Sequence, residues 1–173
     1  MTVVPEALRI SELHQLGLSE SLCRLSLGET VHQVFSVSCQ GPPFYSYHGA
    51  WVPEGRQFLP LWDYSGTVCG IHCKTDGLEF VEYYIETPGE IRVISRTEQG
   101  FWAHQFDFLY ECDQSIDDLM AAADLVGFAY LDFYLQSRTE AEEKLMRSED
   151  KDAWIQKVID EIDRDSIGKH LTP

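Results

Sequence analysis

The stretch Gln57-Phe58-Leu59-Pro60-Leu61-Trp62-Asp63, then Tyr64-Ser65-Gly66, then Thr67-Val68-Cys69-Gly70-Ile71-His72-Cys73 decides the fold. Both long runs are rich in bulky and β-branched residues, and turn formers separate them. They read as two strands joined tightly. Pro60 has no N–H to donate, which places its strand at an edge or on a bulge. Lys74-Thr75-Asp76-Gly77 ends in the Asp-Gly pair favoured in hairpin turns, and Leu78 to Ile85 returns as a further strand. Pro88-Gly89 turns the chain again, and Ile91 to Ser95 makes a last short strand. Strands this closely spaced form an antiparallel meander. Upstream, Val31, Val34, Phe35 and Val37 suggest a first strand, broken by Gln40-Gly41-Pro42-Pro43. Phe44, Tyr45 and Tyr47 read as another extended piece, followed by the loop Trp51-Val52-Pro53-Glu54-Gly55.

Helical spacing flanks this region. Leu8, Leu13 and Leu16 mark a short helix that ends near Gly17. Ser19 is placed to cap a second, lined by Leu22, Cys23 and Leu25 and ended by Gly28. After Gly100, Phe101, Trp102, Gln105, Phe106, Phe108 and Leu109 recur at roughly helical spacing. Ser115 is placed to cap the next helix, with Asp117 and Asp118 in its first turn and Gly127 to bend or break it. Ser148 is placed to cap a terminal helix whose stripe, Trp154, Ile155, Val158, Ile159 and Ile162, requires something to dock on. The expected fold class is α+β: an antiparallel meander sheet with two N-terminal helices and C-terminal helices packed on it. The expected organisation is one α+β domain over residues 1–137 and an acidic C-terminal helical extension over 138–173.

The chain of 173 residues carries 29 acidic against 13 basic side chains, a formal charge of −16, and 44% of it is hydrophobic. That apolar fraction supports a packed core. The charge repels phosphates and anionic lipid, so neither nucleic acid nor a membrane surface is an expected partner, whereas a basic protein is. Met1-Thr2-Val3-Val4-Pro5-Glu6 lacks the cationic start of a secretory signal, and no apolar run approaches the roughly 20 residues of a membrane helix. An odd count of five cysteines fits reduced thiols in a cytoplasmic protein.

Cys69-Gly70-Ile71-His72-Cys73 invites a metal site, but on a strand His72 points away from both cysteines and a second ligand pair is missing. No metal or cofactor is expected. The chain has no Gly-rich phosphate loop, no His-Glu-x-x-His and no Gly-x-Ser-x-Gly, and none of its six histidines sits at a catalytic spacing. Asp76, Glu79, Glu82, Glu86 and Glu90 form a carboxylate run on the meander. A carboxylate-dependent hydrolase would draw its acid and base from this run, whereas a solvated hairpin face needs no chemistry from it. The expectation is a non-enzyme. Aromatic residues interleave with these acids, and aromatics anchor interfaces while acids steer association. The expected partner-binding residues are Trp62, Asp63, Asp76, Glu79, Glu82, Tyr83 and Glu86. The competing reading buries these aromatics under helices.

Two amino-terminal helices, Phe58-Leu59-Pro60-Leu61-Trp62 in a meander, and the late segment His104-Gln105-Phe106-Asp107-Phe108-Leu109 together resemble the SUKH superfamily, the yeast cell-wall-synthesis-regulator fold. Leu18-Ser19-Glu20-Ser21-Leu22 stands where that family has a Leu-Pro segment, and the resemblance spans about residues 6 to 137. It implies a small α+β domain of the kind that serves bacteria as an immunity protein against polymorphic toxins. It brings no catalytic residues. The implied function is a non-catalytic cytoplasmic protein that binds and neutralises a cognate toxin domain with a basic surface, of nuclease type in one version. A regulatory or structural interaction module is the further alternative, and the oligomeric state stays open. Residues 1–110 hold six bases and thirteen acids, and residues 111–173 hold seven and sixteen. The functional share of the charge is expected between Trp62 and Glu90, with the tail's share serving solubility.

Overall fold

A hairpin turning at Ser65-Gly66 belongs to a five-stranded sheet. The computed structural model describes residues 2–44, 57–75, 77–87, 89–141 and 148–170. β1 (Thr2–Val3) pairs parallel to β2 (Gln57–Tyr64), and β2, β3 (Thr67–Lys74) and β4 (Gly77–Tyr84) form the antiparallel meander. β5 (Arg92–Ser95) lies beside β4, giving the order β1-β2-β3-β4-β5. Helix α1 (Glu6–Gln15), α2 (Glu20–Ser26) and a 3-10 helix (Gln33–Val37) precede the meander, and α3 (Glu98–Glu111), α4 (Ile116–Val126), α5 (Leu131–Ala141) and α6 (Ser148–His170) follow it. The α+β class and the meander are as the sequence predicts. The chain divides into two compact units, Met1–Val93 and Ile94–Pro173. Among the described residues no helix is long and apolar enough to cross a membrane.

In the first unit, directly paired residues share a face of the sheet. Phe58, Val68, Val81 and Tyr83 form one apolar face, against which Val3, Ile85 and Ile91 pack. His72 lies opposite Phe58 in register, with their rings edge-on at 5.5 Å. Leu59, Ile71 and Phe80 line the other face, and Trp62 pairs with Cys69 there. Helix α2 packs on β2, and α1 on α2. The register slips between Pro60 and Trp62, a bulge that absorbs the missing proline N–H. β1 pairs only with Gln57 and Phe58, short of Pro60.

The expected strand over Val31 to Val37 is instead the 3-10 helix. Val31, Val34 and Phe35 stand at i, i+3 and i+4, a helical spacing, and His32 accepts the Val34 N–H through Nδ1 at 3.5 Å, capping the turn. Ser19 caps α2 as expected, its hydroxyl accepting the Leu22 N–H at 3.2 Å. Tyr45, Tyr47, the Trp51 to Gly55 loop, Asp76 and Pro88 lie outside the described residues.

In the second unit, α3 begins at Glu98, two residues before Gly100, because Thr97 Oγ1 accepts the Gly100 N–H at 3.0 Å. Asp163 of α6 reaches this helix start and accepts from Arg96 N–H at 2.7 Å and from Thr97 Oγ1 at 2.6 Å. A methyl on Gly100 would collide with Asp163 Oδ1 and with Ser95 Cβ, so glycine sets how closely α6 approaches. Burial raises the Asp163 carboxyl above its ordinary range against the pull of those hydrogen bonds. Gln99 clips the α4–α5 turn by donating to Gly127 O at 2.8 Å and accepting from Ala129 N–H at 2.9 Å. Ser115 caps α4, and Gly127, in the left-handed region at φ +67°, ends it. Ile155, Val158, Ile159 and Ile162 of α6 are buried, and α6 packs along α3 of the same chain.

Candidate protein-binding edge of the meander

The β2–β3 turn and the end of β4 lie at one end of the meander. Ser65 (φ +47°) and Gly66 (φ +84°) make a two-residue turn with both central residues left-handed, the form that matches strand twist. A side chain at Gly66 would meet Tyr84 Cε2 at 2.7 Å, so the glycine lets the Tyr84 ring lie against the turn. Two cross-strand rows end here. Asp63, Val68 and Tyr83 form one row, and Tyr64, Thr67 and Tyr84 form the other. Asp63 accepts the backbone N–H of Phe44 through Oδ1 at 3.1 Å. Phe44 is 70% exposed and Tyr84 43% exposed, with the exposed carboxylate of Glu86 two residues beyond Tyr84.

The residues expected to bind a partner separate in the structure. Trp62, Tyr83 and Glu79 are buried. The bulge at Pro60 and Leu61 sets Trp62 on the Cys69 row, and both this face and the Phe58 face hold buried residues. Tyr83 belongs to the apolar face with Phe58; burial, with the neighbouring Asp63 carboxylate, pushes its hydroxyl up to about 12. Glu79 is ion-paired to Lys74, and Glu82 to Arg92 at 3.1 Å, so both charges are used within the sheet. Glu79 and Glu82 also stand on opposite faces and do not converge on one substrate position. Asp63 is half-buried, Glu86 is exposed, and Asp76 lies outside the described residues. The edge thus keeps Asp63 and Glu86 from the expected set and adds Phe44 and Tyr84. Alternation alone did not distinguish Tyr83 from Tyr84, because it gives two faces without saying which is covered. Burial raises the Tyr64 hydroxyl, and Cys69 and Glu82 add to the rise.

The thiols offer weak nucleophiles. Burial pushes Cys39 up to about 12 and Cys69 well above its ordinary value, and burial with Glu12 raises Cys73. His72 lies on the opposite face from Cys69 and Cys73, as strand alternation predicts. Among the described residues no group of three or more His, Cys, Asp or Glu is arranged to hold a metal ion. Cys23, Cys39 and Cys69 are buried, whereas Cys73 and Cys112 are half-buried. A disulfide-exchange reagent at pH 8 is therefore expected to titrate at most Cys73 and Cys112 in the native chain, Cys73 more slowly, with the buried three reacting only after denaturation. Equal native rates at all five positions would contradict this packing. Comparison with protein-family models, curated proteins and solved structures finds no match to this chain.

Proposed function

We propose that this chain is a non-catalytic binding protein that engages a basic protein partner through the Phe44, Asp63, Tyr84 and Glu86 edge, acting as an immunity protein against a toxin domain in the cytoplasm. The observation that carries the reading is that exposed aromatics, Phe44 and Tyr84, and the carboxylates of Asp63 and Glu86 lie at one end of the sheet, with Asp63 on the Tyr83 row and Tyr84 on the opposite face. Aromatics that are already exposed supply contact area, and acids raise the encounter rate with a basic surface. The net charge of −16 supports the same partner chemistry. A toxin that acts on nucleic acid has a cationic cleft, which an acidic edge fits.

The test is capture from host extract with immobilised protein, comparing the native chain with Tyr84→Ala and Glu86→Lys. A specific partner should be retained by the native chain and weakened by Tyr84→Ala by at least about tenfold, the effect of a typical interface anchor. Glu86→Lys should slow association and flatten its salt dependence. Retention that is equal across all three proteins would overturn the reading, provided their unfolding midpoints agree.

A further inference from the structure

The second unit holds a groove that the proposed edge does not use. It encloses about 310 Å³ and is lined by Phe133, Gln136, Ser137 and Glu140 of α5 and by Trp154, Lys157, Val158 and Glu161 of α6. Each set stands at i, i+3, i+4 and i+7, so the groove is bounded by one full stripe from each helix. Stripes in that position normally close on each other when they are apolar. Here they carry an amide, a hydroxyl and three charged side chains, and the gap stays open.

The helices run antiparallel. Tyr130 near the start of α5 donates to Asp165 at 2.5 Å, whereas Arg138 farther along α5 lies 5.5 Å from the Trp154 ring. Continuing that register sets Phe133 beside Glu161 and Trp154 beside Glu140. On that register each end of the groove sets an aromatic ring on one helix level with a carboxylate on the other, and Glu140 also accepts from Gln136 Nε2 at 3.0 Å. Phe133 is 39% exposed, and Trp154 is half-buried. Trp154 already receives the Arg138 guanidinium, but Arg138 does not line the groove. The second unit also carries eighteen acidic against eight basic side chains.

We infer that this groove receives an arginine side chain of the basic partner. The inference rests on the proposed function for its source of arginine. A guanidinium is planar, stacks on aromatic rings and pairs in a fork with carboxylates, which is the chemistry both ends present. Lys157 in the middle of the groove opposes an incoming cation, so its removal should favour binding.

The full chain, labelled with ¹⁵N, is titrated with N-acetyl-arginine amide while the Trp154 indole N–H signal is followed, assigned by its loss in Trp154→Phe. Saturable shifts are expected with a roughly millimolar Kd, the range for one exposed cation–aromatic contact with ion pairing. N-acetyl-citrulline amide, the uncharged counterpart, should bind at least about fivefold more weakly. Glu140→Gln with Glu161→Gln should weaken arginine binding about threefold or more, and Lys157→Gln should tighten it. Equal binding of citrulline, no saturable shift, or tighter binding of free spermidine than of the arginine probe would overturn the inference. Such failure leaves the meander edge standing if partner capture still depends on Tyr84 and Glu86. Loss of that dependence removes the function itself.

Discussion

Trp62→Ala is expected to lower the unfolding free energy by about 3–5 kcal/mol, the usual cost of truncating a buried tryptophan. Trp62 is fully buried on β2. It lies opposite Cys69, whose thiol burial pushes well above its ordinary value. Truncation would leave a cavity beside a buried thiol, with Leu59, Ile71 and Phe80 on the same face. Urea unfolding should show a lower midpoint with an unchanged slope, which marks a stability effect. The same change made in an exposed interface would leave the midpoint within about 0.5 kcal/mol of native and act on affinity instead. Tyr84→Ala is the matched control. Its ring is 43% exposed and should contribute mainly to partner binding.

Asp107→Ala should rank beside it, at about 3–5 kcal/mol, because it breaks a buried charge cluster from one side. Asp107 of α3 is buried. Its Oδ1 accepts from Arg138 at 2.7 Å and from the Tyr134 hydroxyl at 2.9 Å, and Lys151 pairs with Oδ2 at 3.3 Å. Glu111 is the second acceptor for both cations, at 3.1 Å from Arg138 and in an ion pair with Lys151. Arg138 also sits over the Tyr110 ring at 5.1 Å. These contacts join α3, α5 and α6. Without Asp107, two cations share one half-exposed carboxylate, and the Tyr134 hydroxyl loses its acceptor. Burial and the Asp107 charge raise the Tyr134 hydroxyl well above its ordinary range. The double variant Asp107→Leu with Arg138→Met should recover part of the loss, since replacing a buried pair by apolar groups removes the unpaired charge. Recovery is measured by the same urea midpoints, and no recovery would mean that the pair itself, rather than its unpaired remnant, carries the stability.

The cluster also has a pH signature. Burial raises Glu111, but hydrogen bonds from Lys151 and Arg138 outweigh it and hold the carboxyl below its ordinary value. A lowered native value means that this contribution is complete above the ordinary carboxylate range. It is lost as the pH falls through the native value. Glu111→Gln should therefore flatten the acid side of the stability profile.

Local sequence determined much of the scaffold. Turn residues at Ser65-Gly66 and serines at 19 and 115 act through contacts within a few residues, and such contacts need no tertiary knowledge. Strand alternation likewise separated His72 from Cys69 and Cys73. Val31 to Val37 forms a 3-10 helix and not the expected strand because its apolar residues at i, i+3 and i+4 share a helical face. The site was less legible. The acids Glu79 and Glu82 look available in sequence, yet each meets a base, Lys74 across the hairpin and Arg92 ten residues on. Phe44 gives no local sign that it stands beside Asp63, nineteen residues away. Likewise, the stripes of α5 and α6 are readable separately, but their polar members become a groove only when the two helices run side by side.

The sequence by itself determined the charge, the hairpins and the helix caps, because each depends on composition or on neighbours along the chain. Tertiary structure alone decided which aromatic is core and which is surface. A one-residue bulge after Pro60 sets Trp62 on the Cys69 row, where it is buried, while Tyr84, one position past the buried Tyr83, lies exposed against a glycine turn. Burial depends on what covers each face, and a period of two carries no information about the cover.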